Sequence, residues 1–174
     1  SKDALMNLET ELIRIVLITG EIKSDKTEPV NDEVLGLIHE YCSNHSIPLL
    51  IEADGSRQKA LKGWAGHEPP IPDFVDHVVT VAGLSGLGKP LSEGFIHRPE
   101  LFSELNGTKV GDTIDSNSLT RALLHDNSSL KNIPSRARRI ALLNQADNPE
   151  LQAGARGQGR GLDRRRAARD RDRR

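Results

Sequence analysis

The chain has 174 residues, of which only 3% are aromatic, and a formal net charge of −1. That length allows one domain of ordinary size with a real core, which must be built mostly from Leu, Ile, Val and Ala. The single cysteine, Cys42, excludes an internal disulfide and a cysteine-rich zinc site. No apolar run approaches the roughly 18 residues needed to cross a bilayer. Asp3, Glu9 and Glu11 interrupt the only stretch that could resemble a secretory signal, so a soluble, cytoplasmic protein is expected, with no membrane partner.

The charge is unevenly placed. Nine arginines against three aspartates give residues 154–174 a charge of +6, so the total of −1 leaves −7 over residues 1–153. An acidic folded part argues against nucleic acid as its main partner.

In chain order, residues 1–8 suggest a turn or two of helix, and Leu12 to Thr19 (LIRIVLIT) reads as a strand, aliphatic and β-branched apart from Arg14. After a polar segment, Asn31 or Asp32 supplies an N-cap for a helix over 32–44. Val34, Leu37, Ile38, Tyr41 and Cys42 mark its buried face. Ile47 to Ile51 reads as a buried parallel strand, and Asp76 to Ala82 (DHVVTVA) as another. Residues 90–104 look partly helical. Ile114 to His125 reads as a helix capped by Asp115 or Ser116, and Arg139 to Leu143 as a fourth strand. This alternation predicts one α/β domain over residues 1–153, an open, mainly parallel sheet flanked by helices. The Arg- and Gly-rich residues 154–174 lack apolar periodicity and predict a disordered tail, of a kind that can bind RNA.

Functional groups concentrate in the stretch that follows Ile51. Glu52, Ala53, Asp54, Gly55, Ser56 and Arg57 end a predicted strand, where open α/β sheets bind ligands. A solvated Asp-Gly turn would have the same composition. Lys62, Trp64, His67 and Glu68 follow, before prolines at 69, 70 and 72. Gly83 to Pro90 (GLSGLGKP) nearly matches the phosphate-binding loop G-x-x-x-x-G-K-[ST]. Pro90, however, stands where that loop needs a Mg²⁺-binding hydroxyl, so a mobile loop after a strand fits better. Phe95 to Glu100 (FIHRPE) places His97 beside Arg98, a pair suited to an anion or set in an exposed turn by Pro99. Asn144 to Asp147 (NQAD) resembles the guanine-reading N-K-x-D motif, with Gln145 in place of the lysine. His67 and His97 show no recognised metal-ligand spacing with nearby acids.

Taken as a set, LLIEADGSRQKALKGWAGHEPPIP, VVTVAGLSGLGKPL, IHRPE and ALLNQAD resemble the YqeC-type accessory proteins associated with selenium-dependent molybdenum hydroxylases. The resemblance spans about Ile13 to Asp147 and implies a fold related to P-loop NTPases. Glu52, Asp54, Gly55, Ser56 and Arg57 match its EADGSR signature, and Lys62 its following lysine. His67 and Glu68 match HEP, His97 and Arg98 match HRP, and Asn144 and Asp147 match the terminal element. By this resemblance Glu52 and Asp54 would be catalytic, with Asp54 also orienting Mg²⁺, while Gly55, Ser56, Arg57, Lys62, His67, Glu68, His97, Arg98, Asn144 and Asp147 would bind ATP or GTP. The glycine-rich phosphate loop that opens such proteins does not precede Leu12, so a form truncated at the N-terminus is expected, with weak nucleotide binding. The implied role is maturation of a molybdenum hydroxylase client. The alternative is a non-catalytic scaffold that holds a client protein or a small anionic, phosphorylated cofactor.

Overall fold

The computed structural model describes residues 15–24 and 26–156, which fall into two units divided between Ile51 and Glu52. The helical turns expected over residues 1–8, the start of the first expected strand and the tail beyond 156 lie outside the described residues.

In the first unit, β1 (Ile22–Lys23) and β2 (Lys26–Thr27) form a short antiparallel hairpin. Helix α1 (Asp32–Asn44) begins where Asn31 predicts it, because Asn31 Oδ1 accepts the Val34 N–H at 2.8 Å. Asp32 and Glu33 face the positive end of its dipole. Ile38 is its buried residue, at the centre of the predicted apolar stripe. Two expected strands do not form. Residues 15–19 and 47–51 have no ladder partner among the described residues, and Leu50 remains 93% exposed. An aliphatic run becomes a parallel strand only when a neighbour accepts its hydrogen bonds and a layer covers its faces. Pro48 also removes one donor from the second run.

The second unit holds two parallel ladders. β3 (Leu61–Lys62) pairs with β5 (Ile96–His97), placing Lys62 opposite His97. β4 (His77–Gly83) pairs with β6 (Arg138–Asn144), Val79 opposite Ile140 and Val81 opposite Leu142. These last two strands form within one residue of their expected bounds. The expected single open sheet is thus corrected to separate two-stranded sheets, since the strands that would join them lack partners. The class is still α/β, with short parallel ladders beside helices α2 (Pro99–Asn106) and α3 (Ser116–Leu124).

Asp115 caps α3 through a reciprocal box: its Oδ1 accepts Ser118 N–H at 2.7 Å, and its own N–H donates to Ser118 Oγ at 3.0 Å. Leu61, Leu84, Leu91, Ile96, Phe102, Ile114 and Leu119 form the core between these helices and strands. The segment after β4, expected as a mobile loop, begins instead with a packed 3₁₀ turn, Leu84–Gly86, in which Leu84 and Gly86 are buried. Gly83 N–H donates to Ala60 O at 2.8 Å, and a Cβ on Gly83 would lie 3.0 Å from Ala60 Cα. Residues 149–156 are helical. Among the described residues, no helix is long and apolar enough to cross a membrane.

Candidate functional site

The parallel ladder β3–β5 positions the charged residues. Leu61 and Ile96 face the core, so the next residues along, Lys62 and His97, sit at the carboxyl end of the ladder. Lys62 is 7% exposed, and its ammonium is satisfied on several sides. Its Nζ lies 2.8 Å from Asp54 Oδ2, 3.2 Å from Glu68 Oε2 and 2.9 Å from Gly55 O. Glu68 Oε2 also accepts from Arg98 Nη1 at 2.5 Å and from the Ala65 N–H at 3.1 Å. Asp54, Lys62, Glu68 and Arg98 therefore form one continuous chain of ion pairs, drawn from the EADGSR, HEP and HRP segments and from strand β3, which carries Lys62.

This arrangement fixes protonation. Burial alone would raise the Glu68 pKa, but hydrogen bonds from Arg98 and Ala65 and the Lys62 charge bring it down to about 2. His97 is pushed the other way, below the usual histidine range, first by burial and then by the positive charges of Arg98, Arg57 and Lys62. Glu68 is therefore held ionised, and His97 is biased toward its neutral form.

Other expected site residues lie around or outside this chain. Glu52 is exposed, and its Oε1 lies 3.6 Å from where a Gly55 Cβ would be. Ser56 Oγ donates to Lys59 O at 2.7 Å, closing a local turn. Arg57 is exposed with φ 51°, close enough to influence His97. His67, Asn144 and Asp147 are exposed and, among the described residues, take no part in the ion pairs. Arg98 occupies the N-cap position of α2 with φ 56°, and that left-handed turn directs its side chain to Glu68.

Three longer-range clamps were not legible in the sequence. Lys131 Nζ donates to Ala65 O at 2.7 Å and Asn132 Nδ2 to Pro69 O at 2.9 Å, holding the loop that carries Glu68. Gln145, which departs from the guanine-reading motif, accepts from Ser85 Oγ at 2.6 Å and packs over Gly83. Each joins segments about sixty residues apart, and no local pattern announces them.

The donor set does not favour a cation. Asp54 already holds Lys62, and among the described residues no three His, Cys, Asp or Glu side chains converge as metal ligands. A Mg²⁺ ion on Asp54 would share the carboxylate with the buried Lys62 ammonium, whose charge opposes it.

The family model for YqeC protein matches residues 2–100, more than half of the chain and all of the ion-pair cluster. The chain belongs to the YqeC family. Among curated proteins it is 35% identical over 97 residues to the "Uncharacterized protein YqeC" of Escherichia coli (strain K12), a match covering 56% of this chain. The chain spans 38% of the length of that YqeC relative. No solved structure matches it. Within this YqeC chain, Asn144 and Asp147 lie beyond the matched residues, whereas Glu52 to Arg98 lie inside them.

Proposed function

We propose that this chain acts as a non-catalytic binding domain in the maturation of a selenium-dependent molybdenum hydroxylase, gripping the client enzyme rather than hydrolysing a nucleotide. The client class rests on the resemblance of the EADGSR, HEP and HRP segments to the YqeC-type accessory proteins associated with such hydroxylases. The absence of catalysis follows from the charge state of the cluster. A general base works best with a pKa near the operating pH, whereas Glu68 is held at about 2. A cation on Asp54 would have to share that carboxylate with the Lys62 ammonium, 2.8 Å from Oδ2. Both carboxylates thus serve as internal ties that fix Arg98 and the EADGSR turn in one shape. Pre-ordering of this kind lowers the entropy cost of docking on a partner surface. The proposal requires only the α/β class, not a P-loop NTPase-like frame.

The test combines hydroxylase capture by the full chain with ATP and GTP turnover in the presence of Mg²⁺. Turnover at background level, with capture lost in Arg57→Ala and Arg98→Ala, supports the binding role. Mg²⁺-dependent turnover that disappears in Asp54→Asn while capture persists would overturn it in favour of an NTPase.

A further inference from the structure

A second concave feature lies at the other end of the β3–β5 ladder, where the chain enters both strands. Its cavity of about 280 Å³ is lined by Gln58, Lys59, Ser85, Gly86, Lys89 and Phe95. That volume sits just below the range of about 300–1,000 Å³ typical of small-molecule sites, which suits a small ligand. Two cations and no carboxylate line it. Lys59 Nζ donates to Gly94 O at 2.8 Å, and Lys89 Nζ lies 5.6 Å from the centroid of the Phe95 ring. Among the described residues neither lysine forms an ion pair.

The walls are held in costly conformations. Gln58 has φ 60° and follows Arg57 at φ 51°, two successive left-handed non-glycine residues. Each such residue costs about 1 kcal/mol or more, and strain of this kind concentrates at ligand clamps. Gly86 packs closely on Leu61, where a Cβ would lie 2.8 Å from Leu61 Cδ1. Ser85 is fixed by its hydrogen bond to Gln145, which ties the cavity to the end of β6.

We infer that this cavity binds a small phosphorylated ligand, its phosphate dianion held between the Lys59 and Lys89 ammonium groups. A single positive charge would suffice for a carboxylate. Two lysines that form no ion pair among the described residues line this small cavity and match the charge of a phosphate monoester, and lysine serves well as a point-charge phosphate binder. The Phe95 ring offers an apolar surface to the remainder of such a ligand. The inference is independent of client binding, because it uses none of the ion-pair cluster.

Inorganic phosphate and acetate, titrated at equal ionic strength into the full chain by calorimetry, are suitable probes. Saturable phosphate binding without saturable acetate binding is expected. Lys89→Gln should weaken phosphate affinity about tenfold, the loss of one charge-assisted contact, while Lys109→Gln on the exposed loop before α3 leaves it unchanged. Lys89 is exposed, its ammonium lies over Phe95, and its backbone hydrogen bonds do not depend on the side chain, so circular dichroism of Lys89→Gln should match the parent. Phosphate that does not saturate, acetate that binds equally well, or an affinity indifferent to Lys89→Gln would each overturn the inference.

Discussion

The ammonium of Lys62 and the carboxylate of Asp54 stand 2.8 Å apart at 7% and 19% exposure, with Glu68 sharing the same ammonium from the other side. Removing this buried cation would strand the Asp54 carboxylate in a poorly solvated space, while Glu68 would keep Arg98 as its partner. Lys62→Met is expected to destabilise the second unit by about 3–5 kcal/mol, the usual cost of breaking a buried pair from one side. The double variant Lys62→Met, Asp54→Asn should recover part of that loss, because it removes the stranded charge. Urea unfolding of the single and double variants measures both effects. Equal stabilities for Lys62→Met and the parent would mean that Lys62 is not the hub.

Glu68 predicts how stability follows pH. Its pKa in the folded chain, about 2, lies below its ordinary value of 4.5, so folding favours the ionised form. The resulting stabilisation, on the order of 3 kcal/mol, is fully present above pH 4.5 and disappears as pH falls toward 2. His97 adds to this trend from a higher pH. Its folded pKa is depressed, so the unfolded chain takes up a proton first, and stability begins to fall as pH drops through 6.5. Glu68→Gln should flatten the lower part of the profile, and His97→Gln the upper part. Chemical denaturation at intervals from pH 2.5 to pH 7.5 would show the two segments separately.

Sequence reasoning worked best where the determining interactions are local. The α1 and α3 caps, Asn31 and Asp115, satisfy N–H groups three residues away, a span that a short sequence pattern encodes fully. β4 and β6 were also legible, because continuous β-branched and aliphatic runs bounded by polar residues mark strands whichever partner they find. The failures were non-local. Ile47 to Ile51 has the composition of a buried strand, but composition cannot supply the neighbouring ladder that a parallel strand needs. The same limit applied to the site. EADGSR, HEP and HRP could be singled out as charged segments, yet that Glu68 would reach Arg98 thirty residues away depends on the β3–β5 register. Lys59 drew no attention at all, since a lone lysine in a turn looks like any solvated side chain until Phe95 and Lys89 are placed beside it.

The Asp115 box gives a clean measure of local stability. Asp115→Ala removes the acceptor for Ser118 N–H, while the Asp115 backbone N–H can still donate to Ser118 Oγ. A loss of about 1 kcal/mol is expected, within the range for N-cap replacements. The Ser118 hydrogen bonds also hold the Asp115 carboxyl below its ordinary pKa, so this contribution should vanish as pH falls through that depressed value. Asp115→Asn, which keeps the acceptor, should retain most of the stability at neutral pH and lose the pH dependence. A parent and Asp115→Ala that unfold at the same denaturant concentration would show that the cap carries no weight.

Gly63 links the core to the ion-pair cluster and offers the sharpest structural test. Its N–H donates to His97 O at 2.8 Å, continuing the β3–β5 ladder past Lys62. A Cβ there would lie 2.4 Å from Phe102 N, 2.6 Å from Leu101 Cβ and 2.7 Å from Arg98 O. Two of these atoms are backbone, so no rotamer change can relieve the overlap, and the first turn of α2 must move away from β3. Overpacking of this kind typically costs about 1–3 kcal/mol. Arg98 starts that turn, so Gly63→Ala should also draw its guanidinium from Glu68 and let the Glu68 pKa rise toward the ordinary range. The expected signature is a lower melting temperature together with an upward-shifted carboxylate titration, followed by NMR of labelled glutamate. Gly63→Ser should act in the same direction. A destabilised variant whose Glu68 titration stays near 2 would show that α2 moves as a unit with the cluster, rather than apart from it.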